Sequence, residues 1–144
     1  MKKYGLVAIN DEESVCSVCG KVELKRVMWL VALSPEDGTS WDGEPFPVGT
    51  TCGAKMLGYT TGKMTTRGKQ FEREKDRFWW CKLWEYQHTH GYNECLNKLS
   101  DLQIMRLEGY EAYHLHPLYI EAKRIDGEAH AYANSEAKNF TLTL

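Results

Sequence analysis

The chain has 144 residues and a formal net charge of −2, with 42% hydrophobic and 26% charged residues. These values are typical of one ordinary globular domain and exclude a disordered, collagen-like or repetitive chain. The longest apolar run, Val27 to Leu33, is far too short to cross a bilayer, and the apolar run near the start is too short for a secretory signal. We therefore expect a cytoplasmic protein without a membrane partner.

The N-terminal third is predicted to be mostly β-structure. A short strand is expected at residues 4–9, and alternating residue types predict a longer strand at 21–33. Turn-forming residues then lead into a second arm from Trp41 to Val48, which two prolines confine to the edge of a sheet. A short helix follows, with a threonine predicted at its N-cap and Gly58 just after its C-terminus.

The middle of the chain is predicted to be helical. Threonine and glycine are frequent at 59–68, where we expect a loop. A long helix is predicted from about Arg67 to His88, because charges of alternating sign at its start give way to aromatic residues at its end. Gly91 is expected to stop this helix, and further helical segments are expected at 94–99 and 101–113.

The C-terminal part is predicted to return to β-structure. Residues 118–125 have the composition of a strand, and Asp126-Gly127 is a strong signal for a two-residue hairpin turn. The returning strand is expected at 128–133, although its alanines also allow a helix. Alternation from Phe140 to Leu144 predicts one more strand at a sheet edge.

The most informative motif is Cys16-Ser17-Val18-Cys19-Gly20, with a third cysteine at Cys52. Because the residues after Gly20 favour a strand, the motif predicts a metal-binding knuckle rather than a redox pair at a helix N-terminus. A positive φ angle at Gly20 lets backbone N–H groups point at sulfur. In a reducing compartment, five cysteines are better explained by a metal and buried thiols than by disulfides. We expect Cys16, Cys19 and Cys52 to bind structural Zn²⁺.

Residues 16–58 resemble a treble-clef zinc finger, in which a knuckle and a hairpin are followed by a cysteine in the first turn of a short helix. The spacing from the C-x-x-C-G motif to Val48-Gly49-Thr50-Thr51-Cys52 is also similar to that of uncharacterised short zinc-finger proteins of bacteriophage genomes. The resemblance covers about a third of the chain. It implies a phage-type accessory protein acting in the cytoplasm of a bacterial host.

The fourth zinc ligand departs from the treble-clef pattern. That family commonly places a second cysteine or histidine three residues after the third ligand, but Lys55 occupies this position. A closed structural site needs four protein ligands. We predict His88, since the end of a helix is exposed and can reach back, and the alternatives are His90, Cys81 and Cys95.

Together the elements predict an α+β fold. A zinc knuckle with a β-hairpin and a short helix forms its N-terminal part, followed by a long aromatic helix, a helical middle and a C-terminal β-hairpin. No linker composition divides the chain, so we expect one domain over 1–144. Within it, 1–58 is the zinc-binding lobe and 59–144 is the helical middle with the hairpin.

The charge distribution raises the alternative of nucleic-acid binding. Residues 55–84 contain eight basic and three acidic residues, whereas both flanking parts are acidic. The acidic residues are interleaved at helical spacing, so a solvated helix face explains the pattern equally simply. The basic residues predicted to contact a nucleic-acid backbone are Lys63, Arg67, Lys69, Arg73 and Arg77.

Two His-x-His pairs raise a second alternative, a metal-dependent hydrolase or nuclease. The pairs are His88-Thr89-His90 and His114-Leu115-His116. Both lie at predicted helix ends, where histidine is favoured by the helix dipole and where residues i and i+2 do not share a face. No histidine precedes His88, so a nuclease constellation within 16–58 is excluded.

Aromatic residues from Phe71 to Tyr86 occupy more than one face of the predicted long helix, so some of them are expected at the surface. A wide aromatic surface has the composition of a protein-binding hot spot. Aromatic residues in such a helix are more often core than contact surface, but the net acidity of the chain favours a protein over nucleic acid as the partner. The preferred function is a non-catalytic, zinc-stabilised module that occupies or inhibits a host macromolecule through protein–protein contact.

Overall fold

The computed structural model describes residues 2–11, 15–22, 24 and 26–144. This part contains four strands and six helices, and the predicted α+β class is confirmed. In chain order the elements are β1 (Tyr4–Asn10), β2 (Val27–Ala32), β3 (Phe46–Val48), α1 (Thr50–Leu57), α2 (Thr61–Thr89), α3 (Tyr92–Asp101), α4 (Ile104–Glu108), α5 (Tyr110–Leu115), α6 (Pro117–Ala137) and β4 (Leu142–Thr143).

The chain forms two compact units. The first unit comprises residues 1–76 and 139–144, and the second comprises residues 77–138. The sheet, α1 and the start of α2 belong to the first unit, whereas α3 to α6 belong to the second.

The four strands form one antiparallel sheet in the order β3-β2-β1-β4. Leu6 of β1 is paired with Leu30 of β2 and with Leu142 of β4, and the register shifts at a bulge between Leu6 and Ala8. The predicted strands at 4–9 and near the C-terminus are therefore confirmed. The arm predicted from Trp41 to Val48 is confirmed as an edge strand only over β3, Phe46–Val48, which pairs only with β2 within the described sheet. Trp41 forms an isolated bridge with Leu33.

The predicted strand at 21–33 is too long, since β2 begins at Val27. Two residues of the predicted strand, 23 and 25, lie outside the described part. The carbonyl of Lys21 accepts a hydrogen bond from Cys16 N at 3.0 Å, and Leu24 packs near Gly49. Lys21 and Leu24 therefore belong to the loop that carries the cysteines rather than to the sheet.

The loop predicted at 59–68 is wrong from Thr61 onward, where α2 begins, and the core of the first unit explains the difference. Thr60 Oγ1 accepts a hydrogen bond from Lys63 N at 3.1 Å, and Met64 is fully buried in the core with Leu6 and Leu30. A Cβ atom on Gly68 would lie 2.9 Å from Met28 Cε. Glycine at this position lets α2 approach the sheet closely, which loop-like composition does not reveal.

The short helix α1 and the end of α2 largely follow the predictions. The N-cap of α1 is Gly49 and makes no side-chain hydrogen bond, so the threonine cap is wrong, whereas Gly58 adopts the expected left-handed conformation. The long helix is confirmed to Thr89, and Gly91 has a φ angle of 81° just beyond it. Helical structure at 94–113 is also confirmed, but it is divided into three short helices.

The hairpin predicted around Asp126-Gly127 is wrong, because both residues lie inside α6. Pro117 occupies the first turn of this helix, where its missing N–H costs nothing, and His116 caps it. The buried side chains of α6 recur at helical spacing, and those of Ala129 and Ala133 pack against Leu83 of α2. The buried positions are Ala122, Ile125, Ala129, Ala133 and Ala137. This period outweighs the local turn signal.

Neither α2 nor α6, the two longest helices of the described chain, is apolar enough to cross a membrane, and the same holds for the shorter ones.

Candidate metal centre

The loop that follows β1 and the first turn of α1 bring the cysteines together. Gly20 has a φ angle of 73° and donates from its N–H to the Cys16 carbonyl at 2.9 Å, which closes the predicted knuckle. Ser17 N donates to the carbonyl of Pro47 in β3 at 2.9 Å. Because β3 leads directly into α1, this bond holds the knuckle beside the helix turn that contains Cys52.

The sulfur atoms of Cys16, Cys19 and Cys52 all lie within 4.8 Å of one another. Cys16 is buried, Cys52 is half-buried and Cys19 is exposed. Zinc–thiolate bonds of about 2.3 Å in a tetrahedral site place the sulfurs about 3.8 Å apart. The three thiols therefore fit three corners of such a site, and their soft sulfur atoms suit Zn²⁺.

The environment of Cys16 favours its thiolate. Burial raises the pKa of this thiol, but hydrogen bonds from the backbone N–H groups of Cys19, Gly49 and Val18 and from the Cys52 thiol lower it by more. The net result is a pKa of about 7, below the ordinary value of 9.0. The Gly49 N–H reaches Cys16 Sγ at 3.4 Å. Metal binding at a thiol with a lowered pKa competes with fewer protons at neutral pH.

Cys52 responds in the opposite direction. Its hydrogen bond to Cys19, followed by burial and by its interactions with Cys16, raises the pKa of this thiol to about 11. In the metal-free cluster Cys16 therefore ionises before Cys52, and its sulfur accepts a hydrogen bond from the Cys52 thiol.

Cysteine spacing thus located a cluster of three potential ligands, and among the described residues no fourth side chain joins it. His88 is exposed in the last turn of α2, and His90 and Cys81 are exposed as well, whereas Cys95 in α3 is half-buried. All four residues lie in the second unit. His88 as fourth ligand stays a prediction.

The cluster opens into a pocket of about 420 Å³. Its wall includes the three cysteines, Leu24 and the first residues of α1. Three cationic side chains also line it, and they are Lys21, Arg26 and Lys55. Sequence reasoning missed this grouping, because Lys21 and Arg26 come from an acidic part of the chain and only the fold brings them to Lys55.

The basic residues predicted for nucleic-acid contact have different environments. Lys63 Nζ lies 4.0 Å from the centre of the Tyr59 ring, and Arg67 donates to the Thr143 carbonyl at 2.8 Å and to Gln70. Arg67 therefore ties α2 to β4. The side chains of Lys69, Arg73 and Arg77 are exposed. Their role in binding stays a prediction.

The His-x-His pairs are used at helix ends. His90 Nδ1 lies 2.9 Å from the Tyr86 carbonyl, and the two rings stack with their centroids 3.7 Å apart. His114 Nδ1 lies 2.8 Å from the Tyr110 carbonyl. His116 Nδ1 accepts from Leu118 N at 3.1 Å and caps α6.

Comparison of the chain with protein-family models, with curated proteins and with solved structures finds no match. The resemblance to treble-clef and phage zinc-finger proteins therefore depends on the cysteine motif and its spacing alone.

Proposed function

We propose that this protein is a small, non-catalytic, zinc-stabilised binding module that occupies or inhibits a host macromolecule through protein–protein contact. By its cysteine motif it is a treble-clef-like, phage-type accessory protein of the bacterial cytoplasm. The observation that carries the binding role is an exposed pair of tryptophans on α2. The observation that supports the zinc is the cluster of three cysteine sulfurs within 4.8 Å of one another.

Zinc would be structural in this proposal. Cys16, Cys19 and Cys52 would hold it, with His88 as the predicted fourth ligand. The ion would join the knuckle to the first turn of α1, and it would add to the hydrogen bonds that Gly49 N–H and the Cys52 thiol make with Cys16 sulfur and to the bond from Ser17 to β3. Such a clamp would reduce the conformational freedom of the knuckle and of α1 within the first unit.

The tryptophan pair consists of Trp80 and Trp84, which lie one helical turn apart. Their side chains are 43% and 58% exposed, and their ring centroids are 5.7 Å apart. Tryptophan is usually much more buried than this in a folded domain, and it is enriched among residues that dominate binding energy. Neighbouring Trp79 is held by a hydrogen bond to Asn134 at 2.7 Å and packs edge-on against Trp80. The pair is therefore presented by an ordered base.

The histidine environments support a non-catalytic role. Three of the four histidines in the His-x-His pairs use Nδ1 in hydrogen bonds with the backbone at helix termini. Structural hydrogen bonds of this kind account for their positions without catalysis.

The binding role is tested by affinity capture from bacterial lysate with the full chain, with and without nuclease. We expect a protein to be retained after nuclease treatment and to be lost with the Trp80→Ala, Trp84→Ala double variant. A control variant, Leu107→Ala, removes a side chain that is 72% exposed elsewhere in the second unit and should retain the partner. Equal capture by both variants, or capture abolished by nuclease, contradicts the proposal.

The zinc is tested by native mass spectrometry. We expect one zinc per chain, its loss in Cys52→Ser, and its retention in Cys81→Ser, which changes an exposed cysteine outside the cluster. A His88→Ala variant with reduced zinc affinity would support the fourth ligand. An apo mass for the unmodified chain would contradict the zinc.

A further inference from the structure

The pocket beside the cysteine cluster is lined by positively charged side chains. Its lining includes Lys21, Arg26 and Lys55 and contains no carboxylate among the described residues. Lys21 and Lys55 are exposed and form no ion pair with any residue that the structure describes. Arg26 alone is paired, through Nη2 to Glu72 at 3.0 Å. Two cations of the pocket are thus without an anionic partner in this part of the chain.

A second pocket in the same unit gives a direct comparison. It is similar in size, at about 460 Å³, and it also contains two lysines, Lys2 and Lys3. Its wall, however, includes Glu36, Asp37 and Asp42. Acidic groups therefore balance the lysines there, whereas the described residues that line the pocket at the cysteines carry a net positive charge.

The polypeptide backbone adds to this positive character. The pocket wall contains Gly49, Thr50 and Thr51, where α1 begins, and no side chain of the described residues caps that end. The first N–H groups of a helix lack partners within the helix and carry partial positive charge. Lysine, arginine and backbone N–H groups are together the donors that bind phosphate in proteins.

We propose that this pocket binds a phosphate group, with Lys21, Lys55 and Arg26 as its cationic donors. The inference is independent of the protein-binding role proposed above, because it concerns the first unit and different residues. Zinc bound by three thiolates would carry a net charge of −1, and Lys21 and Lys55, which have no described anionic partner, exceed it even when Arg26 is counted as neutralised by Glu72. A phosphate group can come from a free phosphate or from a nucleic-acid backbone, and the two sources are separated by experiment.

The test uses the full, zinc-loaded chain. Binding of inorganic phosphate is followed by NMR of the backbone amides, and binding of a short fluorescent single-stranded DNA by anisotropy at low salt. The test variant is Lys21→Gln, Lys55→Gln, and the matched control is Lys2→Gln, Lys3→Gln, which removes the same charge from the other pocket. Zinc content is measured on each variant by native mass spectrometry.

We expect phosphate to shift the amide signals of Thr50 and Thr51, and the dissociation constant to rise about tenfold in the test variant and to stay unchanged in the control. DNA binding with the same dependence on Lys21 and Lys55 identifies the backbone as the source, whereas phosphate binding alone identifies the free anion. The proposal is overturned if neither ligand binds at low salt or if both variants bind alike. Loss of zinc from the test variant also overturns it, since the lysines would then serve to balance the metal site.

Discussion

The ionisation of Cys16 is the most direct measure of how the fold prepares the cysteine cluster. In the metal-free protein the pKa of this thiol is lowered to about 7 from 9.0. At pH 8 a thiol with the lowered pKa is about nine-tenths ionised, whereas an ordinary one is about one-tenth ionised. Burial works against this ionisation, so the backbone N–H donors and the Cys52 thiol must outweigh it.

The substitution Cys52→Ala removes one of these donors and leaves the backbone ones in place. We therefore expect the pKa of Cys16 to rise in this variant while remaining below 9.0. The assay is the ultraviolet absorbance of the thiolate in metal-free, reduced protein, recorded against pH. Subtracting the titration of a Cys16→Ala variant isolates the Cys16 signal, which should have its midpoint near pH 7 in the unmodified chain.

The same shifts determine how stability changes with pH in the absence of metal. A lowered thiol pKa stabilises the fold above pH 9.0, and this contribution is lost as pH falls toward 7. The raised pKa of Cys52 removes stability as pH rises from 9.0 toward 11. The contribution of the pair should therefore be greatest near pH 9. A Cys16 midpoint at or above that value would refute the reasoning.

Three further outcomes are expected. Gly127→Ala should raise the free energy of unfolding by about 1 kcal/mol, because this glycine lies inside α6 and an added methyl group would meet no neighbour. Gly91→Ala should lower the free energy of unfolding, because the φ angle of Gly91 is 81°. Thermal unfolding measures both changes. Leu83→Ala should cost about 2–5 kcal/mol, since the side chain is 3% exposed and packs against α6, and denaturant unfolding would show a smaller change if that packing were absent. Ser40→Ala should raise the pKa of Asp37 from about 2 toward 3.8, because the hydrogen bond from the Ser40 hydroxyl is the main cause of the lowered pKa. NMR titration of the Asp37 carboxyl carbon measures the pKa, and a value that stayed near 2 would contradict the prediction.

The parts of the structure that were predicted correctly are determined by residues close together in the sequence. Cys16, Cys19 and Gly20 lie within five residues, and a glycine with positive φ closes the knuckle as its chemistry requires. Cys52 was predicted in the first turn of a helix that ends before Gly58, and Gly58 does end α1, although the N-cap is Gly49 rather than the predicted threonine. The short strand predicted at residues 4–9 likewise corresponds to β1, whose Gly5, Leu6 and Val7 are buried.

The parts that were missed depend on contacts between distant residues. Asp126-Gly127 is a good turn sequence, yet the buried alanines of α6 determine a helix through their packing on Leu83. Gly68 lies in a segment with the composition of a loop, but its missing side chain allows α2 to pack closely against Met28. The cationic pocket likewise combines residues separated by more than twenty positions, so no window of the sequence contains it.

The last residues of the chain return to the first unit, where β4 covers one side of β1 and Leu142 enters the core. A fragment that ends before Asn139 would lack this strand and would leave the N–H and C=O groups of β1 open along that side. Unpaired strand edges recruit other chains, so such a fragment is expected to self-associate. A truncated chain that keeps the zinc-binding lobe but lacks β4 is therefore a poor minimal zinc-binding peptide. Aggregation of that fragment would not be evidence for or against metal binding.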